Sequence, residues 1–70
     1  MNIENGKNMQ TKLEEILEEK GMKQRKLAEK TGIAFQQISR YVRGYSTPKP
    51  ENMKKIAEFL QKSVDEIFFN

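Results

Sequence analysis

Residues 24–43 read QRKLAEKTGIAFQQISRYVR, and the stretch divides at Thr31-Gly32. Before the division, Leu27 and Ala28 face inward on a short helix predicted over 24–30. After it, Ile38, Tyr41 and Val42 fall at i, i+3, i+4 and predict a helix over 35–43. Gln36, Gln37, Ser39, Arg40 and Arg43 cover its remaining faces. Gly32 can supply the positive φ of a tight turn, and Gly44 stops the second helix. The starts are weaker: Lys23 and Ala34 stand where a capping Ser, Thr, Asp or Asn is preferred.

Outward from this pair the helical pattern continues in both directions. Residues 11–20, TKLEEILEEK, carry Leu13, Ile16 and Leu17 on one stripe. Thr11 and Glu14 have the spacing of a capping box, and Gly21 stands where a helix-ending glycine belongs. Met22 is a core position, and residues 1–10 are expected to form a flexible arm. On the other side, residues 44–49 form a loop. Pro50 opens a fourth helix over about 50–61, with Met53, Ile56, Ala57 and Leu60 inward. Ser63 and Glu66 cap a fifth helix at about 64–68, whose apolar positions are Val64, Ile67 and Phe68. No segment alternates with the period of a strand. The expected fold is all-α, five short helices around one core in a single domain over 11–70.

The whole chain has 70 residues, no cysteine and no histidine. Packing, not disulfides or the usual zinc ligand sets, has to hold it together, and a core this small is marginal. No apolar run is long enough to span a membrane, and the polar start MNIENGKNMQ lacks the features of a signal peptide, so a cytoplasmic protein is expected. The net charge of +3 is unevenly spread. Residues 20–49 hold Lys20, Lys23, Arg25, Lys26, Lys30, Arg40, Arg43 and Lys49 against Glu29 alone, while both flanks are net acidic. Such a middle is either a solvated basic face or a patch that attracts a polyanion.

Two helices joined by a tight glycine turn make a helix-turn-helix, in which the first helix braces the second and the second enters the DNA major groove. The small Ala28 permits their close approach. At this point the chain resembles a known family. Leu27-Ala28-Glu29-Lys30-Thr31-Gly32-Ile33, Ile38-Ser39-Arg40-Tyr41 and Gly44 are similar to the signature of Cro/C1-type (XRE) repressors, with a lambda-repressor-like domain. Pro48, Pro50, Met53-Lys54-Lys55-Ile56-Ala57 and Val64-Asp65-Glu66-Ile67-Phe68 extend the likeness to about residues 13–68.

The resemblance implies roles. Phe35, Gln36, Gln37 and Arg40 occupy the base-reading positions. Gln36 has the chemistry to bond adenine N6 and N7 together, and Arg40 to reach guanine O6 and N7 or a phosphate. Phe35 is unusual there: it packs on a thymine methyl or folds back onto protein as a staple, and the residues leave both open. Gln24 matches a family glutamine that bonds a phosphate and supports the recognition helix. Lys23, Arg25 and Lys26, then Arg43, Tyr45, Ser46, Thr47 and Lys49, complete the expected phosphate contacts, which position the protein without reading bases. Tyr41 is read as a helix-packing residue. Two positions depart from the family. Val42 replaces a common glutamate that often pairs with a basic residue of the first helix, so an apolar contact with Leu17 is expected instead. Lys23 replaces a capping Ser or Thr.

The implied function is a DNA-binding transcriptional regulator, a repressor or Cro-like switch, with double-stranded DNA as partner. One short helix reads few base pairs, so a homodimer on a palindromic operator is expected. Its interface would use the last helix, the loop at 44–49 or the terminal aromatics, making Phe68 and Phe69 candidates. A second reading keeps the helices but gives the chain a protein partner, as an antitoxin or adaptor. An enzyme is not expected: the chain has no His or Cys, no metal cluster, no phosphate-binding glycine loop and little room for a pocket. No cofactor, small-molecule substrate or membrane is implied.

Overall fold

A computed structural model describes residues 11–69 as five helices in the expected order. They are α1 (Leu13–Lys20), α2 (Gln24–Thr31), α3 (Phe35–Arg43), α4 (Pro50–Leu60) and α5 (Val64–Phe68), with no strand among the described residues. The arm expected over 1–10 lies outside the described residues.

The core is assembled from the apolar stripes. Leu13, Leu27, Ile38, Ile56 and Ile67 have no exposed surface, and each comes from a different helix. Every helix therefore reaches the centre with one aliphatic side chain. Truncating a buried Leu or Ile to Ala typically costs about 2–5 kcal/mol, a large share of what a small domain holds. α3 packs between α1 and α2, α4 packs on α2 and α5, and α5 returns to α1. The Lys12 N–H donates to the Ile67 carbonyl at 2.9 Å, tying the first helix to the last. Leu17 and Val42 are both buried in the single core cluster, as an apolar replacement for an ion pair requires.

The helix ends follow capping chemistry, with three differences from expectation. α1 starts at Leu13, after Lys12, and the Thr11 hydroxyl accepts the Leu13 N–H at 3.1 Å, not that of Glu14. The expected Thr11–Glu14 box is therefore not the cap of α1. α2 runs one residue further than expected because the Thr31 hydroxyl donates to the Leu27 carbonyl at 2.7 Å, which keeps Thr31 in the last turn. The same hydroxyl accepts the Ile33 N–H at 3.3 Å, so Thr31 binds the turn to the helix it leaves. α4 ends at Leu60, and Gln61 takes the left-handed conformation, φ 59°, where glycine is preferred. The Ser63–Glu66 box does form: the Ser63 N–H donates to Glu66 Oε1 at 2.8 Å, and the Glu66 N–H to Ser63 Oγ at 3.0 Å.

Candidate nucleic-acid interface

α3 has one buried side and one exposed side. Ile38, Tyr41 and Val42 are buried, whereas Phe35, Gln36, Gln37, Arg40 and Arg43 are exposed. The spacing that turns the apolar residues into the core leaves the glutamines and arginines facing out. Gly32, φ 77°, sets the turn between α2 and α3, and its N–H donates to the Ala28 carbonyl at 2.9 Å. Ile33 is buried inside that turn and anchors it.

Several exposed polar groups are held by neighbours. Arg40 Nε donates to Ser46 Oγ at 2.8 Å, so the loop after α3 orients the guanidinium while its Nη groups remain to donate outward. Gln37 Nε2 donates to the Tyr41 hydroxyl at 3.3 Å, and Asn52 Nδ2 donates to the same oxygen at 3.1 Å. Tyr41 is 2% exposed, so its ring packs in the core while its hydroxyl gathers an amide from α3 and one from α4. At the opposite end of α3, the Arg25 guanidinium carbon lies 4.5 Å from the centroid of the Phe35 ring. That is within cation–π range. Phe35 also lines a cleft with Leu17, Met22, Glu14 and Glu18. The ring rests partly on protein yet keeps 38% of its surface exposed.

Lys23, Arg25 and Lys26 are exposed around the start of α2, and Gln24 between them is half-buried. Among the described residues the Gln24 amide has no hydrogen-bond partner. In the loop, Tyr45, Thr47 and Lys49 are exposed and Ser46 half-buried, while Gly44 and Pro48 are buried and hold the loop to the body. The first turns sort the helices by charge. α1, α4 and α5 carry acids there, which complement the helix dipole; α2 and α3 carry none. The two helices with an unopposed positive end are those of the helix-turn-helix.

Phe68 is 2% exposed and belongs to the core, because the last turn of α5 points it inward. It is thus withdrawn from the candidates for a subunit contact, and Phe69, 62% exposed, is left. Asn52, not foreseen from the sequence, joins α4 to α3 through Tyr41; an isolated asparagine in a helix carries no local sign of that role. The pairings Arg25–Phe35 and Arg40–Ser46 were equally without a sequence signal. Among the described residues no group of acidic side chains is placed to hold a metal ion, and no helix is long and apolar enough to cross a membrane.

Residues 13–67 match the model of a helix-turn-helix family. No curated protein and no solved structure matches the chain.

Proposed function

The chain belongs to the Cro/C1-type (XRE) helix-turn-helix family of DNA-binding regulators, and from that premise we propose that it is a sequence-specific transcriptional repressor or Cro-like switch acting as a homodimer on a palindromic operator. The observation that carries the reading is the outer side of α3. Gln36, Gln37 and Arg40 are exposed side by side on a helix whose opposite side is fully committed to the core. α3 enters the major groove, Gln36 bonds an adenine edge, and Arg40, oriented by Ser46, reaches guanine or an adjacent phosphate. Lys23, Lys26, Arg43 and Lys49 are exposed cations on α2, α3 and the loop. They neutralise phosphates and make binding salt-dependent.

A single α3 spans few base pairs, so specificity is supplied by two copies reading half-sites about one helical turn apart. Phe69, 62% exposed, is an aromatic available to the contact between copies. The test is selection from a random-sequence DNA pool at two salt concentrations. A recovered palindrome with that spacing, weakening steeply with salt, is the expected result. Enrichment of no sequence would reduce the basic surface to a general charge effect and turn attention to a protein partner.

A further inference from the structure

We infer that Arg25 is a base-reading residue directed at guanine, and that Phe35 is the positioning residue that holds it there. The inference rests on the DNA-binding reading above and assigns a role to a residue outside the recognition helix. Phe35 is the first residue of α3, the end of a recognition helix that faces base edges. Arg25 comes from the first turn of α2, where an unconstrained side chain would reach toward the phosphate backbone. Instead its guanidinium carbon lies 4.5 Å from the Phe35 ring centroid.

Glu14 and Glu18 line the same cleft, yet among the described residues Arg25 forms no ion pair with either. The aromatic ring, not a carboxylate, sets its position. A guanidinium held over an aromatic ring spends none of its N–H donors on a carboxylate, and the fork those donors form matches guanine O6 and N7. Phe35 has no hydrogen-bonding group of its own, and with part of its ring against the cleft it serves as the platform.

The placement also runs against helix stability. A cation beside a helix N-terminus is disfavoured by the dipole, and the first turn of α3 contains no acid to offset it. Bound DNA would relieve that opposition. Lys23 and Lys26, exposed on either side, are free to supply the phosphate charge, which leaves Arg25 for the base.

The experiment compares DNA selection and binding titrations for the full chain and for Arg25→Lys, Phe35→Leu, Phe35→Trp and the double Arg25→Lys/Phe35→Leu variant. The wild type is expected to demand a guanine at one position of its site. Arg25→Lys keeps the charge but loses the planar fork, so it should lose roughly tenfold or more of that discrimination, a larger loss than it shows on unrelated DNA. Phe35→Leu should lose the same guanine at the same position, Phe35→Trp should keep it, and the double variant should be no worse than either single one. Circular dichroism checks that the Phe35 variants fold.

Retention of the guanine preference by Arg25→Lys would overturn the inference. So would a Phe35→Leu protein that keeps the guanine and instead loses a neighbouring thymine, since Phe35 would then read a methyl by itself. A wild-type chain that selects no sequence would overturn the DNA reading beneath it, and that failure is visible without any variant.

Discussion

Gln36 and Lys26 are both exposed polar residues of the helix-turn-helix, one on α3 and one on α2, and their chemistry gives them opposite signatures. The Gln36 amide can meet an adenine edge with one donor and one acceptor. Gln36→Ala should therefore lose about 1–3 kcal/mol on one base pair and relax specificity there. Lys26 offers a charge without directional pairing, so Lys26→Ala should weaken all DNA about equally and lower the salt slope by about 1. Anisotropy titrations on the selected site, on a single-base variant of it and on unrelated DNA separate the two. Equal losses from both variants on every sequence would remove Gln36 from the reading surface. Arg40 stands between these cases: its guanidinium is directional, and Ser46 restrains it before DNA arrives. Such preorganisation lowers the ordering cost of the contact.

At the scale of the element, each helix is defined by its ends more than by its middle. Gln61 closes α4 with φ 59°, a conformation that costs a non-glycine residue roughly 1 kcal/mol. Gln61→Gly should remove most of that strain and raise the melting temperature by up to about 4–8 °C, read in a thermal melt. An unchanged or lower melting temperature would show that the side chain at 61 contributes more than its backbone costs. The cap of α5 makes a prediction of another kind. The Ser63 N–H donating to Glu66 is the largest influence and holds the Glu66 carboxyl below the usual carboxylate range; desolvation opposes it, and the Ser63 hydroxyl and the Lys62 charge add to the lowering. Because the folded pKa is depressed, the stabilisation is complete above the unfolded pKa and is lost as pH falls through the folded one. Glu66→Gln should flatten that part of the acid limb of the stability curve, measured by denaturant unfolding at a series of pH values. An acid limb identical to wild type would mean the box adds nothing in solution.

For the whole molecule, the aromatic pair at the end of α5 is divided by packing: Phe68 closes the core and Phe69 stays in solvent. Phe69 is therefore the position at which a substitution tests the proposed dimer without touching the core. Phe69→Ala should sediment with a larger monomer fraction than wild type at equal concentration, with an unchanged circular dichroism spectrum. A variant as dimeric as wild type would move the contact to the loop at 44–49 or to another face of α5. The same molecule places acids in the first turns of α1, α4 and α5 and none in those of α2 and α3, so the helix-turn-helix is where the helix N-termini are left unopposed.

The helices, their order and their buried sides were legible in the chain because those signals are local. A period of 3.6 residues marks Leu13, Ile16 and Leu17, or Ile38, Tyr41 and Val42, wherever the helix finally packs. Gly21, Gly32 and Gly44 mark ends because positive φ favours glycine regardless of context, and Ser63 with Glu66 completes a cap within four residues. The same locality explains the outer side of α3, since residues excluded from the core stripe must face out. What only the tertiary structure decided is which side chains meet across a turn or between helices. Thr11 met Leu13 because α1 begins after Lys12, whose N–H is held by Ile67 at the far end of the domain. Arg25 lies over Phe35, Arg40 is held by Ser46, and Tyr41 gathers Gln37 and Asn52. Apart from Gln37 with Tyr41, one turn apart on a single helix, these pairings have no periodic signature. They exist only once the angle and separation of the packed helices bring the groups within bonding distance.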